Sequence, residues 1–262
     1  MPTDPRTIRA YNLNAAFYDK HAKDTSSLYH FYYETPAIRA EFPILKGLKV
    51  ISIACGSDED GQWFLDNGVK KLVGVDLSDK LIEIAKKNNP SVEYHVMDME
   101  KLDFINNSFD FAYSSLAIEY TNDWVKVLKE TYRILKPGSK FVFSCNHPIE
   151  TASDYFKNNK NHGALLGRET NNNSNKMTIY GDYLAADSGG IRQVVSILPG
   201  SYAYHRPISK MIEDIIESGF TICKLVEPLP VEEMKIKFPD KYKKLRKIPV
   251  FIIWVLQKGR SK

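Results

Sequence analysis

Short apolar runs alternate with segments of helical spacing through the middle of the chain. Val50, Ile51, Ile53 and Ala54 form a nearly continuous apolar run, the pattern of a parallel strand buried on both faces. Comparable runs predict further strands near residues 71–76, 92–97, 109–115 and 139–145. Between them the spacing predicts helices near 59–67, 78–88 and 121–135. Ser78 caps the second of these, with Leu81, Ile82 and Ala85 on its inner face. Thr121 or Asn122 is the expected cap of the third, and Pro137-Gly138 its stop. Strands alternating with helices at these lengths predict an α/β fold, a parallel sheet with right-handed crossovers.

Two stretches depart from the alternation. Residues 6–45 read as helical: Ile8, Tyr11, Ala15 and Tyr18 recur at helical spacing, and a second helix is expected from Tyr29 to Ala40, broken or kinked at Pro36. Residues 149–205 interrupt the rhythm. Lys157 to Lys176 is rich in Asn and predicts a surface loop. Met177–Tyr183 and Ile191–Ile197 predict the two strands of one hairpin around Asp187-Ser188-Gly189-Gly190. A helix over Pro207–Gly219 and strands over Phe220–Val226 and Val250–Leu256 complete the pattern. The expected division is a helical segment over 1–45, a core of 46–148 with 206–262, and an insertion over 149–205 above the strands' carboxyl ends, the natural place for a substrate cap. The basic run Lys235–Lys247, with Tyr242 inside it, reads as a solvated connection between the last two strands.

Composition narrows the function classes. A chain of 262 residues, 43% hydrophobic and 26% charged, has the make-up of a soluble globular protein with one large domain or a domain and a cap. A formal net charge of +4 is mild for this length and implies neither a nucleic-acid nor a membrane partner. Three unspaced cysteines fit a reduced, cytoplasmic protein without a disulfide frame. The histidines show no metal-ligand spacing, so no metal is expected. The oligomeric state stays open.

The chemistry concentrates after the first strand. A turn of Cys55, Gly56, Ser57 and Asp58 follows it, then a helical segment, then a second strand ending in Asp76, 20 residues beyond Gly56. That order places a nucleoside at a helix N-terminus with its ribose hydroxyls on the acid. A dinucleotide turn needs G-x-G-x-x-G, and the corresponding Ala54, Gly56 and Glu59 keep one glycine. Asp58, Glu59 and Asp60 would also repel phosphates, which disfavours NAD and nucleotide triphosphates. An adenosine cofactor without phosphate and with positive charge, S-adenosylmethionine, suits the turn better.

At these residues the chain resembles the class I S-adenosylmethionine-dependent methyltransferases, in particular their small-molecule type 11 group. The first motif, roughly D-x-G-x-G-x-G, falls on Ser52, Ala54, Gly56 and Asp58. Val73-Gly-Val-Asp76-Leu-Ser, Val96-Met-Asp98-Met99, Ser108-Phe-Asp110-Phe-Ala-Tyr-Ser-Ser115 and Arg133-Ile-Leu-Lys-Pro-Gly138 follow in order. The resemblance covers residues 45–147 closely and the later strands loosely. It implies a Rossmann-like sheet of seven mostly parallel strands with helices on both faces, the final strand reversed, plus an N-terminal helical lid and an inserted β-hairpin cap. It further implies that Asp76, with the adjoining Leu77, takes the ribose and Asp98 the adenine amino group, with Met99 flanking the ring. Ala54 and Gly56 let the backbone approach the methionyl part, Ser114 begins the segment beneath the sulfur, and Tyr18 or Tyr204 is a candidate ring beside the sulfonium.

Catalytic candidates follow from position. Glu119 and Tyr120 lie past the fourth strand and His147 past the fifth, both at carboxyl ends where open α/β sheets carry their sites, while Tyr202, Tyr204 and His205 follow the insertion's hairpin and are placed to reach down from the lid. His147 is the first expectation for a general base, since an imidazole titrates near neutrality; Glu119 and His205 are the others. The reading is transfer of a methyl group from S-adenosylmethionine to an oxygen or nitrogen of a small-molecule acceptor. Its rivals are an RNA- or protein-directed methyltransferase and a noncatalytic S-adenosylmethionine-binding protein. Ser114-Ser115-Leu116-Ala117 stands where nucleic-acid amino methylases carry Asp/Asn-Pro-Pro-aromatic, which argues against that class.

Overall fold

The structure is a computed structural model and describes residues 3–23, 27–153, 166–171, 176–196 and 198–260. Its central sheet grows from β1 (Lys49–Ile53), which pairs in parallel with β2 (Lys71–Asp76) on one side and β4 (Phe109–Ser114) on the other. Beyond β2 lies β3 (Glu93–Val96), and beyond β4 lies β5 (Leu135–Asn146), both parallel. The last strand, β11 (Phe251–Gln257), runs antiparallel between β5 and β10 (Thr221–Val226). The seven-stranded order is β10-β11-β5-β4-β1-β2-β3, with the reversed final strand in place.

The continuous apolar runs are explained by burial on both faces. Alternate residues of one strand enter two separate cores: Ile51 and Ile53 face one side, Val50 the other, and Phe141 and Phe143 oppose Val142 in the same way. The first core is covered by α6 (Trp124–Ile134) and α8 (Ile208–Glu217), the second by α3 (Thr35–Arg39), α4 (Gly61–Asp66) and α5 (Asp79–Asn88). Ser78 caps α5 by accepting the Leu81 N–H at 3.1 Å. The cap of α6 is Asp123, which accepts from the Lys126 N–H, rather than Thr121 or Asn122.

The N-terminal segment forms α1 (Pro5–Leu13) and α2 (Ala15–Ala22), then a π-helical turn over His30–Glu34 that runs into α3. Pro36 does not break a helix; it sits in the first turn of α3, where a missing N–H is harmless. It cannot bond the Tyr32 carbonyl four residues back, and the turn before it widens, with the Thr35 N–H reaching the His30 carbonyl. The freed Tyr32 carbonyl accepts from the Val231 N–H at 3.0 Å.

The insertion differs from expectation. Its described strands make two hairpins: β6 (Gly167–Asn171) pairs with β7 (Lys176–Tyr180), and β8 (Arg192–Val195) with β9 (Tyr202–His205). The expected pairing of Met177–Tyr183 with Ile191–Ile197 does not occur, and part of the expected loop over 157–176 is strand; residues 157–165, 172–175 and 197 lie outside the described residues. Arg168, Glu169, Met177 and Ile179 are all exposed, so no buried face dictates a partner and the nearer strand wins. Where β9 returns to the core, Arg206 is 1% exposed and ties three elements. It donates to Asp214 on α8 and to the carbonyls of Thr121 and Asn122, over the Trp124 ring.

The basic run is not a bare connection. It folds into α9 (Glu233–Lys237) and α10 (Pro239–Leu245), whose Met234, Tyr242 and Leu245 pack on Tyr33 and Val250. Among the described residues, no helix is long and apolar enough to cross a membrane.

Candidate active site

The turn after β1 holds three left-handed residues at alternate positions, Ala54 (φ 54°), Gly56 (φ 57°) and Asp58 (φ 55°). Only one is the glycine that such a conformation favours. Asp58 is held there by its side chain, which turns inward to accept from the Tyr94 hydroxyl and from Asn89 Nδ2 at 3.3 Å. Burial pushes its carboxyl up to about 6, against the opposing pull of the Tyr94 hydroxyl.

Asp76 closes the turn at the end of β2. One carboxylate oxygen accepts from the Gly56 N–H at 2.9 Å and the other from the Ser78 N–H at 2.8 Å. Burial raises its pKa, and the N–H donors of Ser78, Gly56 and Leu77 oppose the rise. The carboxylate lines a cleft of about 670 Å³ of empty space, part of it open to solvent, together with Ala54, Gly56 and Leu77. Asp98 and Met99, from the loop after β3, stand on the same cleft, as does Tyr18. Asp98 is fixed by its own turn, its Oδ1 accepting the Glu100 N–H at 2.9 Å. Ser114 is buried beneath the cleft and does not line it; the next two residues, Ser115 and Leu116, do.

Helices α1 and α2 roof the cleft with Thr7, Ile8, Tyr11 and Tyr18. The roof is bonded down on both sides. Thr7 Oγ1 donates to the Tyr202 carbonyl at 3.0 Å and accepts the Tyr202 N–H at 2.8 Å, while Asn12 accepts from the Ser78 hydroxyl. The Tyr11 hydroxyl donates to Tyr120 at 2.6 Å, and Tyr120 shares a hydrogen bond with Ser196 of the insertion at 2.8 Å. The sequence places Tyr11, with Ile8 and Tyr18, in the N-terminal helical lid and does not single out Thr7, whose contribution is a pair of hydrogen bonds to Tyr202 that helical spacing does not announce.

The expected catalytic residues do not gather at the cleft. His147 caps the short helix α7 (Pro148–Thr151): its Nδ1 accepts the Ile149 N–H at 3.1 Å and its Nε2 pairs with Glu227 at 3.0 Å. His205 is fully buried between Thr151 Oγ1 at 2.6 Å and the Tyr183 carbonyl at 2.9 Å. Burial lowers the pKa of both imidazoles. Tyr202 and Tyr204 stand on β9 rather than on the cleft, with the Arg6 guanidinium 3.9 Å over the Tyr202 ring. Glu119 is nearest, one residue before the cleft-lining Tyr120 and 3% exposed. Its Oε1 accepts from Asn146 at 2.9 Å, its Oε2 has no partner among the described residues, and burial pushes its carboxyl up to about 7.

Glu34, on the π-helical turn, carries no sequence signal. It is fully buried, and its Oε1 accepts the hydroxyls of Ser115 at 2.9 Å and Ser144 at 2.6 Å. Ser144 Oγ in turn accepts the N–H of Leu116, a residue held at φ 48°. The π turn thus fixes the floor of the cleft from above.

With this geometry established, likeness to known proteins is informative. Residues 51–143 match the family described as "Methyltransferase domain". The chain is similar to an S-adenosylmethionine-dependent methyltransferase of Mesorhizobium loti, at 28% identity and TM-score 0.70, over 86% of this chain and 97% of that one. It is 26% identical over 209 residues to a Haemophilus influenzae protein described as uncharacterized, covering 76% of this chain and 78% of the relative. A demethylmenaquinone methyltransferase of Lactococcus lactis is 31% identical over 130 residues, 44% of this chain and half, 50%, of that relative's length.

Proposed function

Residues 51–143 are a class I S-adenosylmethionine-dependent methyltransferase domain of the type 11 group, and on that premise we propose that the chain moves a methyl group to an oxygen or nitrogen of a small-molecule acceptor. The observation that carries the reading is Asp76. Its two oxygens are aligned by separate backbone N–H groups at the rim of the cleft, where they accept the hydroxyls of a ribose. Charge-assisted bonds of that kind contribute about 1.5–3 kcal/mol.

The other residues fit the same ligand. Asp98 accepts from an adenine amino group, and Met99 and Leu77 flank its ring. Gly56, lacking a side chain, lets a sulfur-bearing tail pass over the turn. When bound, S-adenosylmethionine supplies a methyl group on a cationic sulfur, open to in-line displacement. What the chain adds is placement, which supplies several kcal/mol of the barrier. The Tyr11–Tyr120–Ser196 hydroxyl chain and the Tyr18 ring hold the roof over that point.

For proton removal the candidate nearest the cleft is Glu119. Tyr11 and Tyr18 are pushed far above the ordinary phenol range by burial, and Tyr120 to about 12, so none accepts a proton at neutral pH. His147 and His205 are hydrogen-bonded through both nitrogens. Glu119 does not line the cleft but stands one residue before Tyr120, which does; with its Oε2 unpartnered among the described residues and its carboxyl raised to about 7 by burial, it is the candidate proton acceptor. The roofed cleft and a relative named for a quinone-type acceptor support a small molecule as substrate. Calorimetric titration with S-adenosylmethionine, S-adenosylhomocysteine and NAD tests the reading: binding of the first two and not the third is expected, and silence with all three overturns it.

A further inference from the structure

The chain's excess of positive charge sits in one place. Residues 231–247 carry seven Lys and Arg against three acids, a surplus equal to the formal net charge of +4 for all 262 residues, so the remainder of the chain is neutral. A charge that is mild for the whole chain is dense for α9 and α10, the two short helices that hold it. Their inward side is spent on packing: Met234, Tyr242 and Leu245 are buried against Tyr33 and Val250. Outward stand Lys235, Lys237, Lys241, Lys243, Arg246 and Lys247, all exposed. Lys235, Lys241 and Lys247 make no ion pair among the described residues. Lys243 and Arg246 have only loose ones, 3.7 Å from Asp240 and 3.9 Å from Glu232, both largely in water.

Large apolar side chains are interleaved with these cations. Ile236, between Lys235 and Lys237, is 86% exposed, and Leu229, just ahead of the helices, is 64% exposed. Phe31, also exposed, adjoins them: the neighbouring Tyr32 accepts from the Val231 N–H at its carbonyl, at 3.0 Å, and from Lys237 Nζ at its hydroxyl. Apolar surface left in water is unfavourable in proportion to its area, and the charges around it select what covers it.

We propose that α9 and α10, with the adjoining Leu229 and Phe31, are a docking surface for an anionic lipid bilayer, the lysines on its phosphates and Ile236 and Leu229 among the headgroups and upper acyl chains. The proposal goes beyond methyl transfer and holds whatever acceptor the cleft takes. Two features favour a bilayer over RNA. Bases are held by exposed aromatic rings and planar guanidinium groups, whereas Tyr242 is buried, Phe238 packs on Tyr32 at 5.9 Å between ring centres, and six of the seven cations are Lys. Point charges beside aliphatic side chains match headgroups above acyl chains. The surface also belongs to the working end of the sheet. Val250, on which the helices pack, leads into Phe251, which pairs with Asn146 at the carboxyl end of β5. The π turn that gives Tyr33 to this cluster gives its next residue, Glu34, to the cleft floor. A bilayer held here meets the molecule at the end that carries the cleft.

Flotation of the full chain with lipid vesicles, no cofactor added, tests this. At about 0.1 M salt the chain should bind phosphatidylcholine–phosphatidylglycerol vesicles, mixed about three to one, at least about tenfold more tightly than phosphatidylcholine alone, and should lose most of that binding at about 0.5 M. Lys235→Gln, Lys241→Gln and Lys247→Gln together should weaken it about a hundredfold. Ile236→Ser should weaken it severalfold without changing its dependence on salt. Both variants alter exposed side chains away from the cleft, so thermal unfolding and S-adenosylhomocysteine affinity should match the wild type. Equal binding to the two kinds of vesicle, binding to neither, or a triple variant that binds like the wild type overturns the proposal. So does an Ile236→Ser variant of unchanged affinity, or displacement of the chain from anionic vesicles by single-stranded RNA at equal phosphate concentration, which would make the surface a nucleic-acid one. Failure on vesicles leaves the methyl-transfer reading intact, since that reading is tested by cofactor titration alone.

Discussion

The Tyr18 ring closes over Gly56 so nearly that a methyl group built on that glycine stands 3.1 Å from ring Cε1 and 3.2 Å from the hydroxyl. Gly56 is also left-handed, at φ 57°. Gly56→Ala therefore suffers twice, from a conformation costing about 1–2 kcal/mol for an alanine and from a displaced roof. Thermal unfolding should show a drop of about 2–4 °C per kcal/mol, and cofactor affinity should fall with it. A variant that binds normally would mean that the tail does not cross this turn.

Removing the Asp76 carboxylate deprives the Gly56 and Ser78 N–H groups of their acceptor and, on the proposed reading, a bound ribose of its own. Asp76→Ala should weaken S-adenosylhomocysteine binding at least about tenfold. An unchanged dissociation constant would take Asp76 out of the site.

Ala54 tolerates a left-handed conformation with no side-chain bond to compensate, unlike Asp58. Relieving it returns about 1–2 kcal/mol, from which the extra freedom of glycine in the unfolded chain takes about 0.4–1. Ala54→Gly should raise stability by about 0.5–1 kcal/mol on that balance, read as a higher denaturant midpoint at unchanged slope.

Glu119 links stability to pH. Its carboxyl is raised to about 7 in the fold, so the folded chain holds that proton more tightly than the unfolded one. The contribution is full below about 4.3, the ordinary glutamate value, and is lost as pH rises toward 7. Glu119→Gln should flatten this part of the profile in unfolding experiments between those limits. A curve of unchanged shape would show that the carboxyl titrates normally.

Arg206 and Asp214, 0% and 3% exposed at their side chains, form a buried pair at 3.1 Å. Arg206→Met leaves a buried carboxylate with Lys210 as its remaining cation, 2.6 Å away. The expected loss is about 3 kcal/mol, the lower end of the range for a broken buried pair, because Lys210 stays. Denaturant unfolding measures it.

The sheet was readable because its strands are buried on both faces and leave unbroken apolar runs; β1, β2, β4 and β11 stand within a residue or two of expectation. The cleft that gathers Gly56, Asp76 and Asp98 was readable too, since they stand at consecutive strand ends at fixed intervals. The catalytic side was not. His147 was attractive for its titration range, yet that range says nothing about whether its nitrogens are free, and both are spent on a helix cap and Glu227. Glu34 reaches the cleft floor through a π turn, which no periodicity announces. The hairpins of the insertion were mispaired because exposed strands carry no record of their partner.

The placement of β11 has a consequence for how the molecule is made. Phe251–Gln257 slots between β5 and β10, so the flank of β5 that carries Phe141, Val142, Phe143 and Cys145 stays unzipped while everything from Pro148 to Val250 is being synthesised. On the ribosome the nascent chain presents a sticky, half-built sheet for that whole interval. Its hazard is aggregation during translation, and the final strand acts as the latch that ends it.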